Sequence, residues 1–173
     1  MAAVQIKICG INTPAALDAA INARADFAGF VFFPPSPRHM TLAEAAELGA
    51  RAAGRITRIG LFVDADDSLI GEAATAARLD GLQLHGSESP ARCAEIRARF
   101  GLPVWKAISV ASAADVARAS AYAGAVDRLL FDAKTPKGAL PGGMGLAFDW
   151  SLLGSARLAM PWGLAGGLSP NNV

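Results

Sequence analysis

The chain has 173 residues, 53% hydrophobic and 18% charged, and its 16 Lys and Arg against 15 Asp and Glu give a formal net charge of +1. That composition excludes a disordered chain, and the length implies one domain, burying about 70% of its unfolded surface. The sequence shows no basic excess to drive counterion release and no basic amphipathic helix. Nor does it contain an apolar run of the ~18 residues that span a bilayer, or a signal-like N-terminus, so a cytoplasmic protein that binds neither nucleic acid nor membrane is expected.

Two cysteines, Cys9 and Cys93, and two histidines, His39 and His85, supply no disulfide framework and no metal-ligand spacing. Short apolar runs rich in Val, Ile and Phe predict strands that start near Val4, Phe27, Arg58, Gly81, Val104, Arg128 and Trp162. They lie roughly 23 to 34 residues apart, the length of one strand–helix unit. The intervening Ala-, Arg- and Glu-rich stretches predict amphipathic helices. Their expected caps are Thr13 before Pro14, Thr41 with Glu44 three residues on, Asp67, Ser89 before Pro90, and Ser112. The Gly- and Pro-rich stretch from Thr135 to Gly145 is long enough to be a working loop. Ser169 and Pro170 predict the start of a seventh helix.

Strand–helix alternation of this kind implies a parallel sheet with helices outside it. Right-handed crossovers leave a doubly wound sheet or a (β/α)8 TIM barrel, and seven units of similar length favour the barrel. Continuing the spacing puts an eighth strand near position ~185. The expectation is therefore a single barrel domain over residues 1–173, incomplete at its C-terminal end, with the eighth unit absent.

In such a barrel the chemistry lies where strands end. The first strand ends in Lys7-Ile8-Cys9-Gly10, with a thiol at the exit and a glycine to turn the chain. Cys9 either packs as a small apolar group or, beside cations and helix N-termini, acts as a thiolate. Cys93, mid-helix, reads as structural. After the second strand, Pro34, Pro35 and Pro37 stiffen a loop carrying Arg38, suited to an anion or an aromatic ring, while His39 reads as part of the loop. After the fourth strand, Gln83 and His85 share a face. They either line the barrel interior or form a hydrogen-bonded core pair. After the sixth, Asp132 follows three apolar residues; partial desolvation there would favour the protonated acid, and the alternative is a cap or an ion pair with Lys134. After the seventh, Gly166 and Gly167 precede a helix start, a turn that can hold phosphate.

Taken together, KICGI at Lys7–Ile11, GFVFFPPSPR at Gly29–Arg38, GLFVD at Gly60–Asp64, QLHG at Gln83–Gly86, LLFDAK at Leu129–Lys134, GGMGLAFDW at Gly142–Trp150 and AGGLSPNNV at Ala165–Val173 resemble the phosphoribosylanthranilate isomerase family from end to end. The resemblance implies an Amadori rearrangement of an N-linked ribosyl phosphate in tryptophan biosynthesis, with Cys9 as general base and Asp132 as general acid. It implies that Arg38, His85, Gln83 and Lys7 contact substrate and that Gly166 and Gly167 hold part of the phosphate. No cofactor and no metal are implied, and the only expected partner is the small phosphoribosyl substrate, bound by a monomer or a homodimer. Two departures accompany the match. Met144 stands where the family has a small hydroxyl residue, and the family's eighth strand with its Ser-Ser-Gly-type loop is not present. The competing readings are a barrel fragment that needs a partner chain to close its sheet, and another phosphosugar isomerase or epimerase.

Overall fold

The computed structural model describes residues 4–136, 145–154 and 158–172. In chain order the elements are β1 (Lys7–Cys9), α1 (Pro14–Asn22), β2 (Phe27–Phe32), α2 (Leu42–Ala52), β3 (Thr57–Phe62), α3 (Asp67–Ala76), β4 (Gly81–Leu84), α4 (Pro90–Phe100), β5 (Val104–Val110), α5 (Ala113–Ala117), β6 (Arg128–Ala133) and β7 (Trp162–Leu164). Short 3-10 segments occupy Arg118–Tyr122 and Trp150–Leu153. The strand order is the chain order, β1 through β7, and β1/β2, β2/β3, β5/β6 and β6/β7 pair in parallel. The expected parallel α/β class is thus what the chain adopts. Among the described residues no helix is long and apolar enough to cross a membrane.

Helix starts follow the cap chemistry of the sequence. Thr13, Ser89 and Ser112 each accept a backbone N–H from three residues on, and Thr41 and Glu44 form the reciprocal capping box. One cap differs from expectation: α3 is capped by Asp66, whose Oδ1 accepts from Leu69 N at 2.8 Å. Asp67 is instead the first helical residue, where its charge complements the helix dipole. At the C-terminal end, Ser169–Asn172 form a turn closed by Asn172 N to Ser169 O at 3.1 Å, with Ser169 Oγ accepting from Asn171 N. Among the described residues this segment is a turn, and the seventh helix expected there is not seen.

The chain divides into two compact units, Met1–Gln83 and Leu84–Val173. In the first, the core is built by Ala28, Phe30 and Phe32 of β2, Ile59 and Phe62 of β3, and Leu17, Leu48 and Ile70 of the helices, all buried. The Phe32 and Phe62 rings stack at 5.3 Å. In the second, Val104, Ile108, Leu129 and Phe131 of the strands and Cys93 and Ile96 of α4 are all buried. Each burial removes apolar surface from water at about 25 cal/mol per Å2.

A motif absent from the sequence reading recurs at the opposite ends of the strands from the site residues. Asp26, Asp80 and Asp127 each immediately precede a strand. Their carboxylates accept the backbone N–H of Ile6 (2.7 Å), Arg58 (2.8 Å) and Val104 (2.8 Å). Each donates its own N–H to the carbonyl of that same residue, at 2.9, 2.8 and 2.8 Å respectively. Three strand pairs, β1/β2, β3/β4 and β5/β6, are therefore stapled alike at their starts. The staple also explains why β1 begins at Lys7 and not near Val4: Ile6 is already committed on both its N–H and its carbonyl to Asp26 and Phe27.

Asp80 carries the strongest of these staples, because the Arg58 guanidinium adds bonds at 2.8 and 2.9 Å. Burial pushes the Asp80 carboxyl up, but the side-chain and backbone bonds from Arg58 outweigh it and hold the group below its ordinary value. A group depressed in the folded state contributes fully above its unfolded pKa, about 3.9, and loses that contribution as pH falls through the folded pKa. Asp80→Ala should therefore cost about 1 kcal/mol at pH 7, the low end reflecting its partial exposure. The gap from the parent, measured by urea denaturation, should close as the carboxylate is protonated in strong acid; a gap that is independent of pH would show that the carboxylate charge is not what stabilises the pair.

Candidate active site

In the first unit the exits of β1 and β2 bring together three expected residues. Alternation along β1 sends Lys7 and Cys9 to one face and Ile8 to the other. Cys9 is half-buried and lies directly opposite Gly29 in the parallel register. A Cβ at Gly29 would stand 2.7 Å from Lys7 Nζ, 2.9 Å from Cys9 Sγ and 3.1 Å from Cys9 Cα. The ammonium and the thiol thus converge on space that only glycine leaves open. The Gly29 carbonyl also accepts Gly10 N and Ile11 N, at 2.9 and 3.0 Å, which fixes the turn that leaves Cys9.

Arg38 is carried by a loop of two tight turns, Ser36 N to Phe33 O at 2.9 Å and His39 N to Ser36 O at 3.0 Å, with Arg38 N donating to Ser36 Oγ. Its side chain lies across Gly10. A Cβ there would strike the Arg38 chain, with Nη1 at 2.9 Å and Nε at 3.0 Å, and Gly10 has φ +81°, a conformation that favours glycine. Arg38 is therefore seated against the residue that follows Cys9. His39 stays with the loop, bridged to Val31, as expected. Gln83, in β4, is buried.

In the second unit Asp132 lies within β6 and is 7% exposed. Its Oδ1 accepts the Ala133 N–H at 2.8 Å, and its Oδ2 lies 3.3 Å from His85 Nε2. Of the pairings open to Asp132, the structure selects His85 and not Lys134. His85 is itself 8% exposed, so the two polar groups share their burial, as desolvated polar groups must. Gly166 completes the arrangement: a Cβ there would come within 2.8 Å of Asp132 Oδ1 and 2.9 Å of Ala133 N. Both Gly166 (φ +85°) and Gly167 (φ +69°) adopt backbone that side chains disfavour. Met144, Gly142 and Gly143 lie outside the described residues.

Cys93 behaves as a structural thiol. It is fully buried in α4, its Sγ faces the Glu88 carbonyl at 3.9 Å, and burial pushes it up to about 11. Among the described residues no group of three or more His, Cys, Asp or Glu is disposed to hold a metal.

Three participants were not anticipated. Gly29 was visible only as one letter of a motif; its position opposite Cys9 is a matter of register. Lys106 is 2% exposed inside β5, and its Nζ donates to Gly86 O (2.7 Å), Glu88 Oε2 (2.9 Å) and Leu84 O (3.3 Å). Glu88, 6% exposed, also accepts Gly86 N at 2.9 Å. The only signal in the sequence was a lysine inside an otherwise strand-like run, Val104–Val110.

The thiol of Cys9 and the imidazole-paired carboxyl of Asp132 each stand at a strand exit of a parallel α/β fold, the end where enzymes of this class carry their chemistry. Residues 6–173 match the profile of N-(5'phosphoribosyl)anthranilate (PRA) isomerase. The N-(5'-phosphoribosyl)anthranilate isomerase of Paramagnetospirillum magneticum is 54% identical over 171 residues, covering 98% of this chain and 80% of the relative. That of Paracoccus denitrificans is 52% identical over 172 residues, covering 99% and 80%. The crystal structure of the Thermotoga maritima phosphoribosyl anthranilate isomerase superposes with a TM-score of 0.84 at 34% identity, covering 99% of this chain and 80% of that one. A phosphoribosyl anthranilate isomerase solved in complex with reduced 1-(o-carboxyphenylamino)-1-deoxyribulose 5-phosphate superposes at 0.80, with 32% identity over 98% of this chain and 79% of that one. The chain belongs to the phosphoribosylanthranilate isomerase family.

Two outcomes test this geometry. Gly29→Ala should cost about 1–3 kcal/mol of stability by overpacking and lower turnover at least ~10-fold in the folded protein, since misplacing a reacting group by an ångström costs up to ~100-fold. Unchanged kinetics would show that the space above Gly29 is not used. Iodoacetamide at pH 8 should alkylate Cys9 well ahead of Cys93, of which only about a thousandth is thiolate at that pH. Peptide mapping showing equal rates would contradict the separation of the two thiols.

Proposed function

We propose that Cys9 and Asp132 are the general base and general acid with which this chain performs the reaction of its family. As a member of that family, it is an isomerase of tryptophan biosynthesis acting on N-(5'-phosphoribosyl)anthranilate. The observation that carries the assignment of roles is the burial of Asp132 against His85 at one strand exit, in a chain whose first strand exit presents a half-buried thiol.

The chemistry is proton transfer, and it balances without any added reagent. Asp132 as the acid donates its proton to the furanose ring oxygen. The bond from that oxygen to C1′ breaks, and the anthranilate nitrogen lone pair forms the C1′–N double bond of a Schiff base. Cys9 as thiolate then removes the C2′ proton; the electron pair of that C–H bond forms the C1′–C2′ double bond of an enolamine while the C1′–N π pair returns to nitrogen. Protonation at C1′ and loss of the C2′ hydroxyl proton give the amino-ketose, an isomer of the starting compound. General acid–base steps of this kind contribute typically 10²–10⁴-fold each.

The surrounding residues fit subordinate tasks. Lys7 places a positive charge beside the sulfur that carries negative charge when Cys9 acts. The Arg38 guanidinium, planar and always charged, suits the carboxylate and ring of an anthranilate. His85 and Gln83 complete the proposed substrate-facing set, and the backbone N–H groups of the Gly166–Gly167 turn suit part of the phosphate.

Cys9→Ala and Asp132→Asn should each lower kcat at least ~100-fold, while Cys93→Ala changes it by less than ~2-fold. Near-normal turnover of either of the first two would remove that residue from its role. Inorganic phosphate should compete with substrate in steady-state assays, and Gly167→Pro should weaken that competition. Absence of any competition would count against an anion site at this turn.

A further inference from the structure

Near the His85–Asp132 pair lies a buried ion pair, Lys106–Glu88, that the proposed proton transfer does not use. The β5/β6 register sets Ser109 opposite Asp132 and Lys106 opposite Leu129. Alternation therefore places Asp132 on one face of the sheet and Lys106 on the other, the face of Leu129 and Phe131. From there the Lys106 ammonium reaches the carbonyls of Leu84 and Gly86, at 3.3 and 2.7 Å, the residues immediately before and after His85. Glu88 neutralises it at 2.9 Å and takes the Gly86 N–H at 2.9 Å through the same Oε2. Glu88 is itself braced: its carbonyl accepts Tyr122 OH at 2.9 Å and faces Cys93 Sγ.

From this geometry we infer that Lys106 and Glu88 are positioning residues, which lock the backbone on both sides of His85 and so fix the imidazole against Asp132. The inference rests on the reading of Asp132 as the acid. Stability alone does not account for the clamp. A buried ion pair carries a desolvation penalty, and replacing one by uncharged side chains of similar volume is often neutral or stabilising. What a buried cation with three acceptors does supply is a backbone with one geometry. His85 immediately follows β4 and precedes Gly86, so the two carbonyls held by Lys106 flank it directly.

The test is a double-mutant cycle between the clamp and His85, read by steady-state kinetics and thermal melts. Lys106→Met/Glu88→Gln removes both charges together, leaves no unpaired ion and keeps an acceptor for Gly86 N–H. It should melt within about 4 °C of the parent, lower kcat at least ~10-fold, and leave KM within ~2-fold. In a His85→Ala background the same double substitution should change kcat by less than ~2-fold, because the imidazole it serves is gone. Multiplying losses, or unchanged turnover in the parent background, would overturn the proposal, as would a loss that falls on KM. Should the double variant not fold, Glu88→Gln alone, which preserves shape, enters the same cycle with the same two readings. Asp132→Asn, measured alongside, separates the two layers: normal turnover there refutes the acid assignment, whereas the cycle reports on the coupling of the clamp to His85.

Discussion

A carboxylate and an imidazole withdrawn from water 3.3 Å apart impose most of the requirements met by the second unit. Each polar atom taken out of solvent needs a partner, and an unpaired one costs about 1–3 kcal/mol. Asp132 Oδ1 is satisfied by the next backbone N–H, so its orientation is set by its own strand. Oδ2 is then directed at His85, and His85 must be delivered to that point by a loop that has just left β4. The absence of a side chain at Gly166 leaves room for the carboxylate, and the Lys106–Glu88 pair holds the delivering loop. Register, a glycine and a buried ion pair thus answer to one contact.

The first unit solves a similar problem with similar means. A thiol and an ammonium on one face of β1 need space over the neighbouring strand, and Gly29 provides it at the position directly opposite Cys9. Arg38 needs to lie flat against the turn after Cys9, and Gly10 allows it. In both units the side chain, Cys9 or Asp132, comes from a strand, and a glycine on an adjoining segment makes the clearance. The strand supplies precision, since its atoms are fixed by a ladder of bonds, and the glycine supplies room without introducing a new group.

What the sequence made legible was whatever depends on near neighbours in the chain. Strand starts at Phe27, Gly81, Val104, Arg128 and Trp162 follow from local apolar runs. The caps at Thr13, Thr41, Ser89 and Ser112 follow from a side chain reaching three residues ahead. Asp66 and Asp67 were not separable by that rule, because either carboxylate can reach a first-turn N–H and only the backbone angles decide. Cys9, Arg38 and Asp132 stood out through position at strand exits and through the motifs around them. The partners of those residues were not legible. Glu88 lies 18 positions from Lys106, and His85 lies far from Asp132 in the chain, so no local pattern ties them. A lysine inside Val104–Val110 reads as an interruption of a strand until its acceptors are known. Gly29 is in the same position: its value comes from the residue across the ladder.

The two ends of the strands divide the work of the fold. At their starts, Asp26, Asp80 and Asp127 close three strand pairs with the same two-way bond between a carboxylate residue and a backbone. These staples involve no residue expected to meet substrate, and their repetition at alternate strands means that one local solution was enough. At their ends, Cys9 and Asp132 share the clearance of a glycine but have different polar neighbours, an ammonium for the thiol and an imidazole for the carboxyl. Parallel pairing permits this division, because paired strands start at one edge and finish at the other. A carboxylate at a strand start contributes to stability whatever the chemistry above it, so the exits are free to carry a thiol, a buried acid and two positively charged side chains that a stability criterion alone would not select. The Lys106–Glu88 pair crosses this division: it is buried like a structural ion pair, yet its ammonium reaches the backbone that follows β4, on either side of His85.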